Sequence, residues 1–282
     1  MKKLTLICLF LLHGSAYAAY ASFMPDNDLY KQDRFYNGHP ESKMSESILE
    51  SEFDAAIQQV SDFYAPLIKA THGAELVFVN AWEDPTVNAY ATQNGTQWEI
   101  HMFGGLARRS EITKDGFQLV ACHEMGHHLG GFPYVQDWAA NEGQADYFSS
   151  LACGRALWKG ELAKNAASAK TIPAYPKKQC DIAWRSTADR NLCYRLSQAG
   201  KSLADLLSGR TAKYETPDKS VVASTNNAHP AGQCRLDTYL AGAVCAARWD
   251  NEVIPTTESE SARYTCENRP RCWFKPAGKI VF

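Results

Sequence analysis

Two histidines four residues apart, in the run His123-Glu124-Met125-Gly126-His127, constrain the middle of this chain more than any other feature. On an α-helix, positions i and i+4 share one face about 6 Å apart along the axis, which lets the two imidazoles converge on one tetrahedral ion. Glu124 lies about 100° around that helix from His123, near enough to reach a water that zinc acidifies but too far round to replace a histidine. Zinc lowers the pKa of such a water from about 15.7 to about 7, and the carboxylate takes its proton as it attacks a carbonyl. The five-residue pattern also arises by chance in roughly one chain per hundred of this length, so its surroundings must carry the rest.

A hydrolytic zinc site keeps three protein ligands and one open position. In the metzincin spacing Gly130 would fit, but the third histidine would fall at Pro133, which cannot bind, so that subclass is excluded. Asp137 and Glu142 come next. Glu142 lies in Asn141-Glu142-Gly143-Gln144-Ala145-Asp146, within a helix expected from about Asp137 to Trp158, where Glu142 and Asp146 share a face. Glu142 is expected as third ligand, with Asp146 accepting the N–H of a ligand histidine and fixing its tautomer, the gluzincin arrangement. The competing reading of these two carboxylates is a solvated helix face. Asp137 is assigned to an N-cap.

The N-terminus bears on compartment. Lys2 and Lys3, the apolar stretch Leu4 to Leu12, and Ala16-Tyr17-Ala18 read as a signal peptide over 1–18, too short to span a bilayer as a helix. Cys8 leaves with it. Cys122, Cys153, Cys180, Cys193, Cys234, Cys245, Cys266 and Cys272 remain, an even set that export turns into disulfides. Pairing along the chain gives Cys180–Cys193, Cys234–Cys245, Cys266–Cys272 and, left over, Cys122–Cys153. With no C-x-x-C knuckle, a structural zinc cluster is the weaker alternative. Cys122, next to His123, would as a free thiolate be a fourth ligand; a disulfide is expected instead. The protein is expected in the periplasm or secreted.

Charge removes other classes. With 29 basic and 31 acidic residues, nothing points to nucleic acid or an anionic membrane surface. No phosphate loop, nucleotide fingerprint or G-x-S-x-G elbow is present.

Residues 19–44 read as an extended, patternless arm. Ser47 with Glu50 fits a capping box, and Leu49, Phe53, Ile57, Val60, Tyr64 and Leu67 recur at helical spacing up to Gly73. Glu75 to Asn80 reads as a buried strand, and Val87 to Ala91 with Trp98 to Met102 as a hairpin turning at Asn94-Gly95. Asp115 is expected to cap the histidine helix, which ends at Gly130-Gly131. Lys159 to Arg190 reads mostly as loop, Gln198 to Leu207 and Leu236 to Ala247 as helices, and 211–227 as a polar connection. The predicted units are a metallopeptidase domain over 45–250 and a Cys-containing tail over 251–282. His128 points away from the ligand face, and His101, His72 and His39 are assigned no metal.

In order along the chain, Asn88-Ala89-Tyr90-Ala91, a hairpin, Phe103-Gly104-Gly105-Leu106, His123-Glu124-x-x-His127, Glu142-x-x-x-Asp146, and His229-Pro230 with Arg235 resemble the gluzincin peptidases typified by HtpX and the CAAX prenyl endopeptidases. The resemblance spans roughly residues 47 to 248. It implies that Asn88, Ala89 and Tyr90 belong to a sheet edge on which an extended peptide lies as an added strand. It also implies that His229 faces the oxyanion and that Arg235 braces Glu142 or Asp146. The membrane-spanning helices of those relatives are absent, so their lipidated or membrane-embedded substrates do not transfer. The tail beyond Asp250 has no counterpart.

The expected fold is α+β and zincin-like, with a small mixed sheet, an edge strand beside the histidine helix, a following ligand helix and disulfides. The expected function is an exported zinc endopeptidase. One zinc per chain sits on His123, His127 and Glu142, Glu124 and His229 act in catalysis, and the partner is a peptide or protein. Two rivals are a zinc hydrolase of another amide, as in the cell wall, and a non-catalytic zinc-containing binding or chaperone-like module. The intact Glu124 speaks against the second.

Overall fold

Phe53, Ile57, Val60, Tyr64 and Ile68, spaced by three and four, bury one face of the first helix, α1 (Glu50–His72). The computed structural model describes residues 20–33 and 48–278; the expected signal segment, residues 34–44 of the arm, and Ser47 lie outside the described residues. Helix α1 starts differently from expectation: Glu52 Oε2 accepts the Leu49 N–H at 3.0 Å, two residues beyond the expected Ser47 and Glu50 pair. Leu49 is therefore a cap and exposed, and Ile68 replaces Leu67 in the core. Gly73, at φ 65°, ends the helix in the left-handed region that glycine adopts without strain.

The sheet has four strands, β1 (Tyr20–Ser22), β2 (Glu75–Ala81), β3 (Ala89–Asn94) and β4 (Gln97–Phe103), in the order β1-β3-β4-β2. Strands β2 and β4 are parallel, and the other neighbours are antiparallel, so the sheet is mixed. The β3–β4 turn is tight, with Asn94 opposite Gln97 and Gly95 at φ 60°. Alternation sends Trp98, Ile100 and Met102 of β4 into the core. Two expectations change here. The N-terminal arm is not merely extended, since its residues 20–22 form a strand. That strand covers β3, so the edge beside the histidine helix is β1 rather than residues 88–91.

A short α2 (Gly104–Ala107) leads to α3 (Lys114–Leu129), which carries the histidines. Thr113, not Asp115, caps it, its hydroxyl accepting the Gly116 N–H at 3.0 Å. Asp115 instead pairs with Arg195, at 2.6 and 2.8 Å. Every residue from Gly116 to Leu129 is buried, because the sheet, α1, α4 and α8 surround this helix. The buried pair Arg108–Asp33 (2.7 Å) ties the N-terminal segment to the end of α2.

After α3 the chain loops through Gly130–Asn141 before α4 (Glu142–Phe148), so the helix does not begin at Asp137. Asn141 is its cap, accepting the Gln144 N–H at 3.0 Å. A π-helical stretch, Ser149–Cys153, and α5 (Gly154–Trp158) continue it to the expected end. The expected loop over 159–190 is mostly helix: α6 (Leu162–Ser168), α7 (Ala174–Ala183) and the start of α8 (Thr187–Ser208). Pro173 and Pro176 fall at the cap and in the first turn of α7, where the missing N–H groups have no helical partner anyway. Helix α9 (Gly232–Val244) begins four residues before Leu236, and the tail carries the single turn α10 (Glu258–Ser261).

All eight cysteines among the described residues are paired. Cys122–Cys153 and Cys180–Cys193 form as expected, but the others are Cys234–Cys272 and Cys245–Cys266. Cys234 and Cys245 stand at opposite ends of α9, about 16 Å apart at 1.5 Å per residue, beyond a disulfide's reach. The tail runs back along α9, so one bond nests inside the other. Four disulfides fit an oxidising compartment. No helix among the described residues is long and apolar enough to cross a membrane.

Candidate metal centre

Helix α3 turns His123, Glu124 and His127 toward the N-terminus of α4, which brings Glu142 and Asp146. The approach is close because Gly126 has no side chain: a Cβ there would lie 2.8 Å from the Ala145 Cα. His123 Nε2 lies 3.3 Å from Glu142 Oε2, and His127 Nε2 lies 3.5 Å from Glu142 Oε1. Ligands at about 2.05 Å on a tetrahedral ion stand about 3.3 Å apart, so the spacing fits a small ion at their centre. His123, His127 and Glu142 form a group able to hold a metal, and all three are buried. Asp218 also lies near Cys234 and Cys272, but those sulfurs are bonded to each other and cannot ligate.

The polar atoms facing that centre have no hydrogen-bond partner: His123 Nε2, His127 Nε2, Glu142 Oε2 and both Glu124 oxygens. Buried polar groups are ordinarily satisfied, and five such atoms around one point are compatible with a bound cation. The far side of each imidazole is fully engaged. His123 Nδ1 donates to Asp146 Oδ1 at 2.8 Å, and His127 Nδ1 donates to the Ala140 carbonyl at 2.8 Å. Both bonds turn an Nε2 inward.

Asp146 is the hub behind the histidines. It accepts from Arg235 Nε (2.6 Å) and Nη2 (2.7 Å) and from the Tyr239 hydroxyl (2.6 Å). Burial raises its pKa, but Arg235 and His123 outweigh this and hold it at about 2. Burial alone would depress His123, yet Asp146 and Glu142 lift it to about 9. His127 is lowered to about 4, mainly by burial. Burial also pushes the Glu124 carboxyl well above its ordinary range. For Glu142, burial is outweighed by His127, His123 and Arg235, and its pKa is lowered.

Arg235 lies behind the cluster, 3.8 Å from Glu142 Oε2 and bidentate on Asp146, so of the two carboxylates it braces mainly the second. His229 Nε2 lies 3.7 Å from Glu142 Oε2 and donates to the Ser22 carbonyl at 2.8 Å. Its loop is held to the cap of α4, where Asn141 Nδ2 donates to the Asn226 carbonyl (3.2 Å) and Asn227 Oδ1 (3.0 Å). A cavity of about 340 Å3 between Ser22, Val135, Gln136, Asn227 and His229 opens onto Glu142. Asn88, Ala89 and Tyr90 are on this side of the sheet but already face the N-terminal segment.

His128 is not a ligand; it stacks on Trp98 and Trp138, its Nδ1 3.0 Å from Gln93 Nε2. Asp137 caps none of the described helices, and Cys122 is disulfide-bonded. Sequence reasoning missed Tyr239, the Ala140 carbonyl and Phe23. Tyr239 stands four residues after Arg235 on α9, a spacing that places both on one face. Nothing in the sequence marks Phe23, whose ring meets His123 edge-on at 5.3 Å. No family model, curated protein or solved structure matches this chain.

Proposed function

We propose that this chain is an exported zinc endopeptidase of gluzincin type. The observation that carries this reading is the set of unpartnered, buried ligand atoms of His123, His127 and Glu142, with the unpartnered carboxylate of Glu124 beside them. Two imidazoles and one carboxylate suit zinc and leave one position open. Bound there, zinc would supply Lewis acidity, acidifying a water and polarising a carbonyl.

The chain's own residues do the remainder. Glu124, 3.9 Å from His127 Nε2, takes the proton of the attacking water and returns it to the leaving amine nitrogen. Asp146 fixes the tautomer and direction of His123, and Arg235 with Tyr239 fixes Asp146. His229, at the mouth of the site, donates to the carbonyl oxygen as it gains negative charge. Strand β3, once released from β1, would offer its main chain to an extended strand, which favours a peptide over another amide. The apolar stretch 4–12 and the four disulfides favour export.

The test is metal analysis of the purified protein with mass spectrometry of products from a peptide mixture, alongside Glu124→Gln. The expected result is one zinc per chain in both proteins and cleavage lowered by orders of magnitude in the variant. Unchanged turnover in Glu124→Gln ends this mechanism.

A further inference from the structure

Strand β1 lies where the peptidase reading places a substrate, antiparallel on β3, with Tyr20 opposite Thr92, Ala21 opposite Ala91 and Ser22 opposite Tyr90. The ladder continues as Phe23 N–H donates to the Ala89 carbonyl at 3.0 Å. Asn88 closes it on Met24: its Nδ2 donates to the Met24 carbonyl (2.9 Å) and its Oδ1 accepts the Met24 N–H (3.2 Å). A peptide added to this side of β3 needs the same donors and acceptors.

The contacts go beyond the sheet. His229 Nε2 donates to the Ser22 carbonyl at 2.8 Å, and Arg235 Nη1 donates to the Phe23 carbonyl. Between these two carbonyls the Phe23 side chain is fully buried, edge-on to His123 and 4.6 Å from the Arg235 guanidinium. Ser22 borders the cavity that opens onto Glu142. Nine residues after Met24, Asp33 is clasped by Arg108, so a strand that left β3 would stay tethered.

We infer that Tyr20–Met24 is a built-in ligand of the peptide groove, which must leave β3 before a substrate can pair there, and that the groove takes extended peptides in which a small residue precedes a large aromatic one. The inference rests on the peptidase reading for the identity of the groove, and its readouts are binding and exchange rather than turnover.

The test uses the full chain loaded with zinc and carrying Glu124→Gln, with an end-blocked, fluorescent Tyr-Ala-Ser-Phe-Met peptide as probe. Ala21 is the next hydrogen-bonded position on the ladder from the Phe23–Ala89 pair, so Ala21→Pro removes a donor there without deleting a core side chain. At least tenfold tighter probe binding is expected with Ala21→Pro, and loss of it when the probe's Phe becomes Ala. Equal binding with and without Ala21→Pro overturns the inference. In the unsubstituted protein, the ladder amides of residues 21 and 23 should exchange with deuterium at least tenfold faster than those of β4; equal rates would make β1 a fixed strand and overturn it whatever the variant does. With Glu124 intact, probe binding without cleavage would refute the peptidase reading and leave this inference standing. Cleavage equally fast with and without Ala21→Pro would do the reverse.

Discussion

Asp146 Oδ1 lies 2.8 Å from His123 Nδ1 while its Oδ2 lies 2.6 Å from Arg235 Nε, so one carboxylate joins a metal-facing imidazole to a buried guanidinium. Asp146→Asn keeps the shape but removes the charge that both neighbours use. Breaking a buried, hydrogen-bonded ion pair costs about 3–5 kcal/mol, and loss of the partner behind a ligand histidine lowers metal affinity about 10–100-fold. Urea unfolding of the metal-free protein and zinc competition against a chelator measure the two effects. An unaltered midpoint and affinity would remove Asp146 from its supporting role.

Metal uptake should release a proton. His123, raised to about 9 by Asp146 and Glu142 against the pull of burial, is charged in the metal-free protein at pH 7, while His127, held at about 4, is not. Because the folded value lies above the ordinary 6.5, the stability that charged His123 gives the metal-free fold is complete below that pH and lost as pH rises through about 9. Zinc affinity runs the opposite way, climbing about tenfold per pH unit toward pH 9 as the competing proton leaves. Chelator competition between pH 6.5 and 8.5 gives the slope, and a flat profile would contradict it.

Gly126→Ala should loosen the site from the outside. Alanine improves helix propensity by about 1 kcal/mol. Its methyl, however, would meet backbone atoms of Ala145 at 2.8 and 2.9 Å, forcing α4 away from α3. Overpacking of this kind costs about 1–3 kcal/mol, and the displacement carries Glu142 with it. A fall in zinc affinity larger than the fall in thermal stability is expected; equal affinity would show that α4 adjusts freely.

The parts of this site that share a helix were legible in the residues. His123, Glu124 and His127, and Glu142 with Asp146, rest on i, i+4 geometry, which local sequence carries. The helix caps were misplaced because Asp115 and Asp137 are good cap residues with other positions, while Thr113 and Asn141 hold the exposed N–H groups. Helices α6 and α7 were hidden by Pro and Lys in an Ala-rich stretch, where the prolines mark a start rather than a break. Strand β1 has no periodicity to read in three residues, and its place depends on β3, about seventy positions later. The nested disulfides depend on the path of the tail, which spacing along the chain does not encode.

That nesting reaches the ligand cluster from a distance. Helix α9, which presents Arg235 and Tyr239 to Asp146, is riveted at its beginning through Cys234 and just past its end through Cys245 to a tail that brings Trp273 over Gly143. A thiol reductant would act as a remote antagonist of metal retention, loosening the rivets without touching a ligand. Any ion held by that cluster would then be lost more readily under reducing conditions than under oxidising ones.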